Sequence, residues 1–544
     1  MALSDARRQN SFDHDREMPY DAVSVFSFRH ELVRFIVNIA VDAPCSFFSK
    51  VAMNSKNAPS GAPNNPNSDA AFGKGVLKSS IGLLGGRIAQ PFFTFFLFFV
   101  SARVLSTGEF GYYTFIMGML VLFQSIASLG LGFVLSREIG QKPEEEGAAI
   151  GSVLYLCLPA SVLAGLAFIA VSSGLMGNDG NALTLYVLSA LSLPFSALFQ
   201  FGEAVFLAHS AGGSLFRIGI VEQVFRVGLS IAALLSGFGL LGLVACYLLG
   251  RVLATAIIVF LFFKKRMSPP IRLDRGNLRY VWGRLAAFLP MNLLANLYYR
   301  ADVIVLAWLM SDSDLGLYGC AMRIASFGFI LPDALITASY PHFSRLWLEK
   351  NGTFEKKALS YSVMLLAMGF LGAAGMAFFG GTLLELFFGS KYAASGPLLA
   401  LLGFMLPANC LNGLFGYLMQ ATHHEKTALV MVAVSTLVVF FSLTFGTVLW
   451  GLAGAGVGAI ASIWAMAILY IAMARRVWQL ELHVRSPIIR ASAVFTIGWL
   501  IIAAARPADN LTYCLMASAI GLVVIVLGGL AGALTPKRIK DVFN

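Results

Sequence analysis

Apolar windows of about 20 residues, separated by short polar breaks, recur along this sequence from about residue 80 almost to its end. A helix of that length crosses the ~30 Å hydrocarbon core of a bilayer. The chain has 544 residues, of which 58% are hydrophobic and only 12% are charged, and its mean hydropathy is +0.77. This is the composition of membrane proteins rather than of soluble domains. The windows therefore predict an all-α polytopic membrane protein.

Fourteen transmembrane helices are predicted from these windows. They lie near residues 80–103, 110–133, 148–172, 182–207, 215–237, 239–263, 286–309, 316–341, 359–380, 394–421, 427–448, 452–474, 488–505 and 511–534. Five regions follow from this arrangement. They are a tail (1–78), an N-lobe with spans 1–6 (79–263), a cytoplasmic inter-lobe loop (264–284), a C-lobe with spans 7–12 (285–474) and a final segment with spans 13 and 14 (475–544).

The tail differs in composition from the rest of the chain. Its linker NSKNAPSGAPNNPNS (54–68) predicts disorder, whereas VFSFRHELVRFIVNIAV (25–41) is a candidate for an amphipathic interfacial helix. Translation from Met53 is the alternative, and the residues before it would then lie outside the protein. The first residues lack the apolar core of a cleavable signal, so we expect membrane insertion to begin at the first span.

Basic residues in the breaks between spans predict the orientation of the chain. With the tail in the cytoplasm, the loops on that side carry 22 Lys and Arg residues and the opposite loops carry three. Positive residues are enriched in cytoplasmic loops, so both termini are predicted to be cytoplasmic. The formal net charge of +11 is thus a topology signal, and no nucleic-acid partner is expected.

One polar break occurs twice. ARVLSTGEFGYY (102–113) precedes span 2 and AWLMSDSDLGLY (307–318) precedes span 8. In the first copy, Ser106 and Glu109 are typical of a helix start, Gly111 favours close helix packing, and Tyr112 and Tyr113 suit the membrane interface. The break is therefore predicted to be a short turn followed by a capped helix.

The spacing of the two copies predicts the architecture. They are 205 residues apart and six spans separate them, so the second copy has the same orientation as the first. A parallel repeat of this kind is related by a pseudo-twofold axis along the membrane normal. We therefore expect two six-helix lobes with a cavity between them.

Nine ionisable side chains fall inside the predicted spans. They are Arg87, Glu203, Glu222, Arg226, Arg251, Arg300, Asp302, Arg323 and Asp333. A charge at the bilayer centre costs about 2.5–3.5 kcal/mol on an insertion scale, so these groups are expected to face protein or a wet cavity. All five basic residues are Arg, whose planar guanidinium binds phosphate oxygens through two hydrogen bonds.

The arginines are candidate ligands for a lipid that carries a phosphate or diphosphate. Arg87 has no local acid and is the leading candidate, with Arg300, Arg323 and Arg226 beside it. Structural salt bridges are the alternative, and for Arg226 an intrahelical pair with Glu222 four residues before it is as good an explanation.

The acids are candidates for ion coupling. Asp302, Asp333 and Glu222 are the residues that H⁺ or Na⁺ coupling would use, with pairing to Arg as the alternative. No cofactor and no metal site are expected. The glycine-rich stretch GLAGAGVGAIAS (451–462) predicts helix packing, because no strand precedes it and no Walker lysine follows.

Three segments resemble a known family. ARVLSTGEFGYYTFIMGMLVLFQSIASLGLGFVLSREIG, RADVIVLAWLMSDSDLGLYGCAMRIASF and LLELFFGSKYAASGPLLALL are similar to polysaccharide-export (Wzx-type) flippases of the multidrug/oligosaccharidyl-lipid/polysaccharide (MOP) exporter superfamily. The resemblance covers about residues 80–480. It implies twelve core helices plus two, alternating access, and flipping of an undecaprenyl-diphosphate-linked oligosaccharide out of the cytoplasmic leaflet. It also implies that cavity arginines, here Arg87, Arg300 and Arg323, hold the diphosphate.

Two other functions are alternatives. An ion-coupled drug antiporter of the same superfamily would favour acids over arginines in its cavity, whereas this chain has five internal arginines and four acids. A membrane polymerase or ligase would need a large outer loop with catalytic groups, and the predicted outer loops are about ten residues long. We therefore expect a transporter rather than an enzyme, with membrane lipids and polysaccharide polymerase or export machinery as further partners.

Overall fold

The polar break at 102–113 forms a capped helix start. Helix α1 (Gln90–Val104) ends just before it and α2 (Thr107–Ala127) begins after Ser106. The Ser106 hydroxyl accepts a hydrogen bond from the Glu109 amide (3.2 Å), and the Glu109 carboxylate accepts one from the Ser106 amide (2.9 Å). This reciprocal capping box satisfies backbone donors that the first turn leaves free. The predicted turn and helix start are confirmed.

The second copy of the break is capped in a similar way. The Asp314 amide donates to the Ser311 hydroxyl (3.2 Å), and that hydroxyl donates to the Asp314 carboxylate (2.6 Å). In the first copy the Ser106 hydroxyl likewise donates to the Glu109 carboxylate (2.8 Å). The helix that follows starts at Asp312, 205 residues after Thr107.

A computed structural model of the protein describes residues 90–478 except 131–134, 137, 141–142, 179, 210, 265–274 and 350–351. No β-strand occurs in this part of the chain. After α1 and α2 the long helices are α3 (Glu146–Met176), α4 (Ala182–Ala208), α5 (Gly212–Leu235), α6 (Gly239–Lys264), α7 (Arg275–Leu309), α8 (Asp312–Glu349), α9 (Thr353–Phe388), α10 (Gly396–Gly403), α11 (Met405–Ala421) and α12 (Glu425–Trp478). Helices α1–α6 form the N-lobe and α7–α12 the C-lobe. The tail, Arg87 and predicted spans 13 and 14 lie outside the described residues.

The described helices follow predicted spans 1–12 with three differences. The predicted inter-lobe loop 264–284 is wrong at its end, because α7 already begins at Arg275; the helix-breaking Pro269-Pro270 precedes that point. Predicted span 10 is broken into α10 and α11, which bend by 42° at Phe404. Helix α12 contains both predicted spans 11 and 12, with non-helical backbone at Trp450 and Gly451.

Length and hydropathy identify the helices that are able to cross a membrane. Eight helices of the described chain meet both conditions when the two arms of α12 are counted as one, and the bent pair α10–α11 makes a ninth. Helix α7 is not among the eight, because Asn292, Asn296, Arg300 and Asp302 interrupt its apolar run. Polar residues inside a spanning helix are expected to face protein or water rather than lipid.

Small residues pack the two arms of α12 against each other. The Ser442 hydroxyl donates to the Gly458 carbonyl (2.9 Å), and Gly446 lies against the backbone of Gly454. The arms are thus antiparallel, with Gly451 (φ 57°) at the bend. The prediction that the glycines of 451–462 serve helix packing is confirmed.

The two lobes meet through α2 and α8. A Cβ at Gly111 would overlap the Asp312 carbonyl, and a Cβ at Gly316 would overlap the Thr107 carbonyl. The two contacts are equivalent under the repeat, because Gly316 and Asp312 lie 205 residues after Gly111 and Thr107. A pseudo-twofold axis passes between the helices, which confirms the predicted parallel repeat. We call this end of the molecule, with its turns at 105–106 and 310–311, the turn end.

Tyr113 is buried by packing between helices, while its predicted place at the membrane interface stays a prediction. Its side chain is 2% exposed and packs against Phe98 (ring centroids 5.1 Å apart). Tyr112 instead stacks on Tyr186 of α4, with the ring planes 16° from parallel. The packing of the lobes buries Tyr113, and the local sequence does not record that packing.

Candidate functional site

Arg323 lies where the two lobes meet. It is on α8 of the C-lobe, and its guanidinium carbon is 3.6 Å from the ring centroid of Phe98 on α1 of the N-lobe. A cation over an aromatic face is attracted by the ring quadrupole. Its electrostatic neighbours are Arg300 of α7 and Tyr113 of α2. Two arginines of the C-lobe therefore lie near each other, beside aromatic residues of the N-lobe.

Arg300 has donors free for a ligand. Its Nε is buried and makes no hydrogen bond to any described residue. Asp302 is an electrostatic neighbour of Arg300, yet within the described chain the two form no ion pair. One Asp302 oxygen accepts a hydrogen bond from the Val303 amide (2.8 Å). A buried guanidinium donor without a partner is costly, so it favours an anionic ligand at this position.

Arg226 belongs to a second, buried group in the N-lobe. Its Nε donates to Glu222 (3.1 Å) and one terminal nitrogen donates to Gln223 (2.5 Å). The side chains of Arg226 and Glu222 are 8% and 5% exposed. The intrahelical pair that the sequence offered as the alternative is therefore present, and it occupies part of the guanidinium of Arg226.

Tyr247 of α6 joins several polar groups of the N-lobe. Its hydroxyl accepts a hydrogen bond from Gln124 of α2 (2.5 Å) and one from Arg251 (3.3 Å). Arg251 also lies over the Phe199 ring of α4 (5.8 Å) and has Glu203 as an electrostatic neighbour. Arg251 and Glu203 stand out in the sequence as charges inside predicted spans. The Tyr247 hydroxyl and the Gln124 amide were not predicted, because uncharged polar residues do not stand out in an apolar chain.

Tyr113 connects the two groups. Its electrostatic neighbours are Arg226 and Tyr247 in the N-lobe and Arg323 in the C-lobe. The repeat gives a signal that would have singled it out, since Tyr318 matches it 205 residues later. Tyr318 is 1% exposed and is an electrostatic neighbour of Asp302. The pseudo-twofold axis thus places one buried tyrosine beside the charged residues of each lobe.

Asp333 has no arginine among its electrostatic neighbours. It is exposed, and one of its oxygens would be 3.7 Å from a Cβ at Gly413 of α11. Tyr299 and Cys410 are its electrostatic neighbours. Arg300 is thus an electrostatic neighbour of both Asp302 and Arg323, and Tyr113 has electrostatic neighbours in both groups, Arg226 and Arg323, whereas Asp333 has no arginine among its own.

The turn end is held closed by cations from both lobes. Arg103, at the end of α1, donates to the carbonyls of Leu386 (2.6 Å) and Phe387 (3.1 Å) at the end of α9. Lys391, just after α9, donates to the carbonyls of Leu105 and Arg103. Each cation satisfies carbonyls that the last turn of the opposite helix leaves free. Burial lowers the pKa of Lys391, and the nearby Glu109 and Cys320 partly oppose that shift.

The arrangement suits an anion with an apolar attachment. Arg300 and Arg323 are not paired with acids among the described residues, whereas Arg226 is paired with Glu222. The guanidinium fork matches phosphate oxygens, and charge attraction is stronger between apolar walls than in water. Within the described residues no group of three or more His, Cys, Asp or Glu side chains is placed to hold a metal ion.

Comparisons with known proteins agree with this architecture. The solved structure of the lipid II flippase MurJ in an inward closed conformation superposes with a TM-score of 0.62 at 15% identity, covering 83% of this chain and 98% of MurJ. A multidrug resistance MATE family transporter of the MOP superfamily, in an inward-facing conformation, superposes with a TM-score of 0.57 at 16% identity over 71% of this chain and 94% of its own. These similarities establish the fold.

Sequence comparisons identify the family. The probable low-salt glycan biosynthesis flippase Agl15 of Haloferax volcanii is 19% identical over 384 residues, which are 69% of this chain and 79% of that protein. The family model described as "Polysaccharide biosynthesis protein" matches residues 100–397, more than half of the chain. This match includes α2, α7 and α8, which carry the repeat and the unpaired arginines. The chain therefore belongs to the polysaccharide biosynthesis protein family and has the helical transporter fold of the MOP superfamily.

Proposed function

We propose that this protein is a flippase for a polyprenyl-diphosphate-linked oligosaccharide, an undecaprenyl-linked one in a bacterial inner membrane. It would move the lipid-linked repeat unit from the cytoplasmic to the outer leaflet for polysaccharide biosynthesis. The observation that carries the proposal is the pair Arg300 and Arg323, which are electrostatic neighbours on α7 and α8, with Arg323 against Phe98 of the N-lobe, and which form no ion pair with a carboxylate among the described residues. The family and the flippase relative in Haloferax volcanii support it.

The arginines would act on the part of the substrate that is hardest to move. A diphosphate in hydrocarbon carries a large cost of desolvation, which hydrogen-bonded cations offset. The polyprenyl tail would stay in the bilayer while the glycan crosses between the lobes. We expect no bond of the substrate to be made or broken, and a polymerase or export machinery would act on it afterwards.

Loop charges favour a periplasmic position for the turn end, with both termini in the cytoplasm. The contact of α2 with α8 and the cations Arg103 and Lys391 would then close the outer side of the cavity. Alternating access requires this contact to open in each cycle, so that substrate taken from the inner leaflet is released into the outer one.

A disulfide across the turn end is expected to stop transport. In a background without the six native cysteines, Gly108→Cys with Asp312→Cys should cross-link, because a Cβ at position 108 would lie 3.8 Å from the Asp312 Cβ, close to the ~3.8 Å mean of disulfides. Surface polysaccharide should fall sharply under oxidising conditions and return with a reductant. The two single-cysteine variants are the controls, and normal polysaccharide output with complete cross-linking would contradict the opening step.

Coupling to H⁺ or Na⁺ is a further part of the proposal. Of the three candidate acids, Asp302 is the best placed, because it lies beside Arg300 and Tyr318, whereas Glu222 is bound to Arg226 and Asp333 has no arginine among its electrostatic neighbours. Imposing an H⁺ or a Na⁺ gradient across proteoliposomes would identify the driving ion, and Asp302→Asn should remove that dependence if this acid carries the coupling.

Deletion of the gene tests the function itself. We expect surface polysaccharide to be lost and a lipid-linked oligosaccharide to accumulate in the inner leaflet, which mass spectrometry of extracted lipids and leaflet-specific lectin labelling would detect. The likeness to a multidrug transporter makes drug export the second candidate. Sensitivity to cationic dyes with normal polysaccharide in the deletion strain would favour that candidate.

A further inference from the structure

A group of tyrosines lies directly beside Arg300. Tyr299, the residue before it, is 66% exposed, and its electrostatic neighbours are Asp333 of α8 and Tyr417 of α11. Tyr298 packs edge-on against Tyr299, with ring centroids 5.3 Å apart. The hydroxyl of Thr337 donates to that of Tyr417 (3.4 Å). We call Tyr298, Tyr299, Asp333, Thr337 and Tyr417 the tyrosine cluster.

The members of this cluster come from three helices of the C-lobe, α7, α8 and α11, and Tyr299 and Asp333 are its exposed members. A carboxylate facing lipid near the bilayer centre would cost about 2.5–3.5 kcal/mol. The space beside Asp333 is therefore expected to be wet, and Tyr299 shares it. A large tyrosine exposed to a wet interior cleft contributes little to the core and is available for a ligand.

The chemistry of the cluster matches a sugar ring. A pyranose has an apolar C–H face, which packs on the electron-rich face of an aromatic ring, and a rim of hydroxyls, which donate to carboxylate and phenol oxygens. The cluster offers both kinds of group. An organic cation would also find aromatic faces and a carboxylate here, but Arg300 is the next residue along the helix and repels it.

We propose that the tyrosine cluster binds the first sugar rings of the glycan while Arg300 and Arg323 bind the diphosphate. This inference rests on the proposed flippase function and adds a separate sugar subsite to it. Tyr299 and Arg300 are consecutive on α7, so their backbones differ in height by only about 1.5 Å. Consecutive residues of a helix point about 100° apart, so the diphosphate and the first sugar would occupy neighbouring faces of α7 at the same height.

Binding of two lipids to the full-length protein in nanodiscs tests the proposal. One probe is undecaprenyl diphosphate, and the other is the lipid-linked oligosaccharide extracted from the deletion strain. Tyr299→Ala is expected to weaken binding of the oligosaccharide lipid about tenfold, the loss of one aromatic contact, and to leave undecaprenyl diphosphate unchanged. Tyr299→Phe keeps the ring and should bind almost as the parent does. Arg300→Ala should weaken both lipids.

A matched control is available on the lipid-facing side of the N-lobe. Tyr155 of α3 is 55% exposed, so Tyr155→Ala removes a similar aromatic surface and should change neither affinity. Equal losses for both lipids in Tyr299→Ala, or no loss for either, would overturn the sugar subsite while leaving the flippase proposal intact. Binding of neither lipid by the parent protein would overturn both proposals. Tight binding of ethidium that depends on Asp333 would show a cation site instead.

Discussion

Replacing both Arg300 and Arg323 with alanine is expected to abolish polysaccharide export while the protein stays folded in the membrane. Neither guanidinium group forms an ion pair with a carboxylate among the described residues, so no salt bridge is broken by their removal, although Asp302 loses Arg300 as an electrostatic neighbour. Each hydrogen bond from a charged group is worth about 1.5–3 kcal/mol, so losing both arginines should weaken diphosphate binding about a hundredfold or more. Surface polysaccharide and accumulated lipid-linked oligosaccharide are the quantities to measure.

Three comparisons sharpen this experiment. Arg300→Lys with Arg323→Lys keeps the charge but loses the planar fork, so partial activity is expected. Arg217→Ala removes an exposed arginine whose hydrogen bond within the described chain goes to the Gly213 carbonyl of its own helix, and activity should be unchanged. Membrane abundance must be equal in all variants. Normal polysaccharide in the double alanine variant would remove these arginines from the substrate site.

The second large effect is expected from one methyl group at the contact between the lobes. Gly111→Ala places a Cβ onto the Asp312 carbonyl and within 2.8 Å of the Gly316 amide nitrogen. Both are backbone atoms of a helix, so no side chain can rotate away, and α2 and α8 must separate. Overpacking of this kind costs about 1–3 kcal/mol or more. We expect a lower melting temperature in detergent and a weakened closure of the turn end.

Gly219→Ala is the matched control. Gly219 lies in the middle of α5, and a Cβ there would meet no atom within 4 Å. The same glycine-to-alanine change should therefore be neutral or slightly stabilising, because alanine favours helix. Equal melting temperatures for Gly111→Ala and the parent protein would contradict the close contact.

Much of the fold was predictable because the bilayer restricts it strongly. Span length, the capping residues Ser106 and Glu109, and the even number of spans between the repeats each follow from local chemistry. The early start of α7, the break at Phe404 and the burial of Tyr113 depend on packing between helices that are distant in sequence. Such packing leaves little trace in a single sequence.

The candidate site was predicted in part for a similar reason. Intramembrane charges are rare, so Arg300, Asp302 and Arg323 stand out in the sequence, and the structure brings them together. Whether an arginine forms an ion pair depends on how each helix is rotated about its axis, which the sequence does not give. The pair Arg226–Glu222 could be predicted from spacing, because the two residues are four apart on one helix. Tyr247 and Gln124 hold the N-lobe group together, yet neither residue type is unusual in a membrane helix.

The contact between α2 and α8 has the form of an isologous homodimer interface enclosed in one chain. Gly111 on the Asp312 carbonyl and Gly316 on the Thr107 carbonyl are the same interaction made twice, as between identical subunits related by a twofold axis. In a true homodimer, one substitution changes both copies of such an interaction at once. Here the copies are encoded separately, so each can vary alone. The two sides of the closed turn end can therefore be weakened independently, which lets closure strength be tuned in small steps.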